Sequence, residues 1–150
     1  MSEETKPKAK PAKAQVVPTD IAEQEFERFC EAWDIFTDTS RMSLDDAQDF
    51  ERMRVDLIVY IEDQRIEVLE DASKLRINLK FSDKITSSDH LELDVSRLDM
   101  IVTDRHAGEK GAHKMGAIIA EGCEVPERHY SKVDPRDKKI FQKVVNLFLG

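Results

Sequence analysis

Histidine and cysteine are the residue types here most able to bind a metal or act as nucleophiles. His106, His113, Cys123 and His129 fall within one C-terminal stretch. A structural zinc site needs four preorganised ligands, commonly paired as Cys-x-x-Cys or as two histidines one helical turn apart. No such pairing occurs, which leaves surface histidines beside a buried thiol. Gly111-Ala-His-Lys-Met-Gly116 has the glycine spacing of a phosphate-binding loop, but Ala117 and Ile118 stand where its lysine and hydroxyl residue belong. Without that lysine the loop has nothing to counter the terminal phosphates. Cys30 has no basic neighbour on its helical face and Cys123 lies between Glu121 and Glu124, so neither thiol is set to become a thiolate. Carboxylates such as Asp45, Asp46, Asp49, Glu51, Glu62 and Asp63 fall on polar helical faces, where they solubilise rather than catalyse. The residues therefore predict no catalytic, cofactor-binding or metal site, and a protein that is not an enzyme.

The elements that carry these residues follow from composition and periodicity. Residues 1–18 repeat Lys, Pro and Ala, as in Lys6-Pro-Lys-Ala-Lys-Pro-Ala-Lys13, and lack apolar periodicity. Such a segment buries too little surface to offset the entropy of ordering it, so it reads as a disordered arm. No apolar run is long enough for a signal peptide or a membrane span, and the expected location is the cytosol. A net charge of -8 opposes general nucleic-acid binding, because phosphate neutralisation dominates such affinity.

From Thr19 the pattern is helical. Thr19 or Asp20 can cap, with Glu23 completing a capping box, and Ala22, Phe26, Phe29, Trp33 and Phe36 recur on one face widened by Cys30. Ser43 and Asp46 signal a second start, followed by Leu44, Ala47, Phe50, Met53, Leu57 and Ile61. The short turn between them predicts an antiparallel helical hairpin over residues 19–63. A two-residue step then takes over: Ile66 and Val68, Leu75 to Phe81, and Leu91 to Val95, with a polar loop over 82–90. This predicts strands over 65–95, as a β-hairpin or a three-stranded antiparallel sheet whose apolar face needs helical cover.

Residues 96–150 read as three to four helices. Ser96 caps a short one through Leu98, Ile101 and Val102, ended by Gly108 and Gly111. A helix from Ala112 to Glu121 stops at Gly122, expected in the left-handed end position, and Pro126 and Pro135 each open a further helix, the latter capped by Asp134. Ile140, Val144 and Phe148 lead the last apolar stripe. Trp33 and Phe148, each on its stripe, are expected to be largely buried. The fold class is thus α+β and mostly helical, with residues 19–150 as a single domain and Cys30 and Cys123 as buried free thiols.

The order Leu75-Arg-Ile-Asn-Leu-Lys-Phe81, Leu91-Glu-Leu-Asp-Val95, Ile118-Ile-Ala120, Val125-Pro126, Val133-Asp-Pro-Arg-Asp137 and Val144-Val-Asn-Leu-Phe-Leu149 resembles the small tail assembly chaperones of long-tailed phages, of the Mu-like type. The resemblance covers residues 74–149. Where that family often has a basic Leu-Arg-Arg-like segment, this chain has Ser96-Arg97-Leu98-Asp99, and the hairpin from Asp20 to Ile61 is an addition. The resemblance implies a non-catalytic protein of the host cytoplasm that coats the phage tape-measure protein until tail-tube subunits replace it. It carries over no ligand residue, and it leaves self-association open. The competing classes are an acidic inhibitor or host-takeover protein that binds a host enzyme, and a small virion structural protein. The inhibitor would show dense carboxylates on one contiguous face.

Overall fold

The structure, a computed structural model, describes residues 16–35, 37–82, 89–98 and 111–149, with the backbone alone for 111–113 and 149. The expectations for the arm over residues 1–15, for Phe36, for most of the 82–90 loop and for Ile101, Val102, His106 and Gly108 lie outside the described residues. The architecture is α+β. Helices α1 (Thr19–Ala32) and α2 (Leu44–Glu62) form the hairpin, strands β1 (Ile66–Val68), β2 (Lys74–Asn78) and β3 (His90–Asp94) form the sheet, and α3 (Gly111–Gly122), α4 (Glu127–Tyr130) and α5 (Pro135–Leu149) follow.

The chain is tied down before Thr19. Val16 and Val17 donate their amides to the Glu62 carbonyl at 3.0 and 2.9 Å, and Pro18 is the N-cap of α1. The expected capping box does not form, because Thr19 Oγ1 donates to the Glu62 carboxylate and Glu23 pairs with Arg54. The second expected cap does form: Ser43 Oγ accepts the Asp46 amide at 3.1 Å. In α1 the stripe Ala22, Phe26, Phe29 and Cys30 is buried, whereas in α2 only Leu57, Ile58 and Ile61 are. Leu44, expected on the core stripe, is 74% exposed. The N-terminal half of α2 therefore reaches past the core with its apolar side chains only partly covered.

The sheet has the order β1-β2-β3, antiparallel throughout, and registers Ile66 with Ile77, Val68 with Leu75, Leu75 with Leu93 and Ile77 with Leu91. Its period of two sends these side chains to one face and Arg76 and Glu92, a cross-strand ion pair at 3.6 Å, to the other. Helices cover the apolar face. Phe26, Phe29, Leu57, Ile61, Leu75 and Val144 help line a residual space of only about 10 Å³, wholly apolar and so without the polar partners an ordered water needs. The second strand ends at Asn78, short of the expected Phe81, whose ring is 40% exposed. After β3, Val95–Arg97 is a single 3-10 turn whose cap is the Asp94 carboxylate rather than Ser96.

Gly122 does not occupy the left-handed position. It is the last residue of α3, and a Cβ there would lie 2.7 Å from Leu93 Cδ1 and 3.0 Å from Leu98 Cδ2, both in fully buried side chains. The left-handed residue is Glu124, φ 58°. Pro126 is the N-cap of α4 rather than its first residue, while Pro135 does open α5, where Asp134 Oδ1 caps the Arg136 amide at 2.8 Å.

Candidate functional site

The residues singled out for chemistry are dispersed or enclosed. Burial pushes the Cys30 thiol up to about 12, with Glu27 adding to the effect and Arg54 opposing it. Burial likewise pushes Cys123 up to about 12. Both are free thiols in the core, and neither is a thiolate near neutral pH. The Gly111–Gly116 segment is helical, with Ala117 and Ile118 buried behind it, so no phosphate-cradling loop exists there. Of the histidine stretch, His129 lies in α4, His106 is outside the described residues, and the His113 side chain is not described. Among the described residues no group of three or more His, Cys, Asp or Glu is arranged to hold a metal.

One polar constellation is built with care, and its role is structural. Asp137, third residue of α5, has no exposed surface. Its carboxylate accepts from the Arg65 guanidinium, from the amides of Lys80 and Phe81 at 3.0 and 2.9 Å, and from Ser82 Oγ at 2.6 Å. Burial alone would raise its pKa. The Ser82 hydroxyl, the two amides and Arg65 outweigh that and hold the carboxyl below the usual range. Ser82 Oγ also accepts the Asp134 amide at 2.8 Å, and Arg136 lies over the Phe81 ring at 4.0 Å. With both oxygens engaged, this carboxylate has no capacity left for a substrate. It fastens the α2–β1 turn and the end of β2 to the start of α5.

The feature with room for a ligand lies at the other end of the hairpin. A groove of about 680 Å³ opens between the end of α1, the first half of α2 and the end of α5. Its apolar lining is Trp33, Ile35, Phe50, Met53, Leu147 and Phe148, with Met42 at one side, and its polar lining includes Asp34, Asp46 and Asp49. Trp33 and Phe148, expected to be largely buried, are half-buried here and meet edge to face at 5.9 Å and 84°. Each ring gives one side to the core and the other to the groove. Trp33 Nε1 is enclosed without a hydrogen-bond partner among the described residues. An orphaned donor of this kind costs about 1–3 kcal/mol, a local inconsistency of the sort found at functional positions.

The helix end shapes the groove wall. Ile35 donates its amide to the Cys30 carbonyl at 2.8 Å and Asp34 to Glu31 at 3.2 Å, a Schellman closure with Asp34 left-handed at φ 53°. That turn swings Ile35 into the groove and separates it from a second depression of about 600 Å³, lined by Glu27, Cys30, Glu31, Asp34, Ile35 and Asp38 among others. Helical periodicity had placed Trp33, Phe50 and Met53 on apolar faces. It carried no signal that these faces would remain half open, because the covering neighbour is set by tertiary structure. Among the described residues no helix is long and apolar enough to cross a membrane. Comparison with protein-family models, curated proteins and solved structures finds no match to the chain.

Proposed function

We propose that the protein is a non-catalytic assembly chaperone that holds helical segments of a phage tape-measure protein in the host cytoplasm during tail assembly. The observation that carries this reading is the groove between α1, α2 and α5: apolar on its floor, acidic on its rim and about 680 Å³ in volume. An amphipathic helix binds by laying its apolar side chains into such a groove, anchored at positions three and four residues apart. Met42 and Met53 suit a carrier of many similar segments, since an unbranched, polarisable side chain adapts to differing shapes. The order of elements from Lys74 to Leu149 supports the phage-tail assignment of that general role.

Co-expression tests it. A tape-measure protein from the same genome is expected to stay soluble and to co-purify with several copies of this protein, because a long repetitive helix offers many equivalent sites. Met42→Glu places a charge on the groove and is expected to abolish co-purification while leaving the melting temperature within a few degrees of the parent. Tape-measure solubility that is the same with and without the protein counts against the reading.

A second reading draws on the carboxylates that surround the two depressions, which match the contiguous acidic face expected of an inhibitor that mimics a polyanion. Its complex would be one-to-one with a basic host enzyme and would dissociate as salt rises. A complex seated on the apolar floor instead survives about 1 M salt, where screening acts within a few ångströms.

A further inference from the structure

The two depressions adjoin at Asp34 and Ile35, and together they present six carboxylates, Glu27, Glu31, Asp34, Asp38, Asp46 and Asp49. No Lys or Arg among the described residues lines either one. Elsewhere several acids on these helices are matched: Glu25 with Arg28, Glu51 with Arg54, Asp56 with Lys143. Here only Asp49 has an ion pair among the described residues, an exposed contact with Arg52 at 3.3 Å. Hydrogen bonds from the Ser40 hydroxyl and amide hold Asp38 below the usual carboxylate range, so it is ionised under all ordinary conditions. An apolar groove flanked by carboxylates of which, among the described residues, only Asp49 has an ion pair is complementary to a particular kind of helix.

We infer that the groove's occupant is an amphipathic helix with a Lys- or Arg-rich flank, its apolar stripe on Trp33, Phe50 and Phe148 and its basic flank over Glu27, Glu31 and Asp34. This rests on the proposed docking role of the groove and adds the charge of the client. The apolar stripe supplies residence, and the basic flank supplies register and selection against acidic helices. A helix has one orientation about its axis that satisfies both depressions. The groove therefore reads which side of the stripe is basic, and not only that a stripe is present.

Trp33 is the sole tryptophan, so its emission reports on the groove directly. The probes are three synthetic helices of about five turns, roughly 18 residues. One carries a Leu stripe with Lys flanks, one the same stripe with Glu flanks, and one the Leu/Lys composition with the stripe scrambled. At low salt the Leu/Lys helix is expected to shift the Trp33 emission and to bind at least about tenfold more tightly than the Leu/Glu helix, a difference of about 1.4 kcal/mol. Raising salt to about 0.5 M should close most of that gap. The variant Glu27→Gln, Glu31→Gln, Asp34→Asn, whose asparagine tolerates the left-handed backbone, should narrow the gap at low salt while melting like the parent. Equal affinity for the Lys and Glu helices, equal affinity for the scrambled peptide, or no binding by any of the three overturns the inference. If the triple variant keeps a tape-measure protein soluble as well as the parent does, the chaperone reading stands and this one falls. A charge-selective Leu/Lys complex with no effect on tape-measure solubility supports this one and removes the other.

Discussion

Asp137 shows how a single side chain holds three parts of the fold at once. Its partners Arg65 and Ser82 are 72 and 55 residues away in sequence. Nothing local distinguishes it from an ordinary first-turn acid that favours the positive end of a helix dipole. Asp137→Asn keeps the shape but removes the charge that the Arg65 guanidinium and two amides are aimed at. Breaking a buried pair by altering one member costs about 3–5 kcal/mol, and the variant is expected to melt correspondingly lower. The pH dependence has a definite sign. Because the folded carboxyl titrates below its unfolded value of about 3.9, its contribution is fully present above that value and is lost as pH falls through the folded pKa. The parent should therefore lose stability below about pH 4 more steeply than Asp137→Asn. Parallel acid limbs in the two unfolding curves would show that Asp137 is not the group that titrates.

At the scale of elements, the ends of three helices are built alike. α1, α2 and α3 each close with a Schellman pair, Ile35 to Cys30, Arg65 to Tyr60 and Val125 to Ala120, and the left-handed residues are Asp34, Gln64 and Glu124. None is glycine, the residue usually favoured there. The left-handed backbone costs an L-residue about 1–2 kcal/mol, against about 0.4–1 kcal/mol for the greater unfolded-state freedom of glycine. Gln64→Gly should therefore raise stability by about 0.5–1 kcal/mol, measured by urea unfolding. A decrease would mean that the Gln64 side chain makes a stabilising contact. These ends also explain what the sequence made readable. Starts closed by a nearby side chain, Ser43 and Asp134, could be read from spacing alone, as could the strands, because burial of one face imposes a period of two. The ends could not, since the residues in the left-handed position are ordinary in type and the nearby glycine, Gly122, serves a close contact with Leu93 and Leu98 instead. The groove stayed hidden for a different reason. A helical stripe tells which face is apolar, while the depth to which Phe50, Met53 and Phe148 sink depends on elements far off in the chain.

Across the whole molecule, the residues just before α1 are tied to the end of α2. Val16 and Val17 share the Glu62 carbonyl, and Pro18 caps α1. Deleting residues 1–15 is expected to leave the melting temperature within about a degree of the parent. Deleting 1–18 removes two hydrogen bonds at about 0.5–1.5 kcal/mol each, so a fall of several degrees should appear in a thermal scan. Identical curves for the two truncations would show that this anchor contributes nothing. Among the described residues charge is also unevenly placed: the sheet's outer face carries the Arg76–Glu92 pair, while the depression at the α1–α2 turn is lined by acids and by no Lys or Arg. The topology of the groove has a further consequence, in time rather than in space. Trp33, Met42 and Phe50 leave the ribosome early, but Leu147 and Phe148, which complete the same surface, follow about a hundred residues later. At about 5–20 residues per second, the nascent chain displays half of an apolar surface for roughly 5–20 s before its own C-terminal helix arrives. During that interval the open half of the surface waits for α5, the helix that completes it.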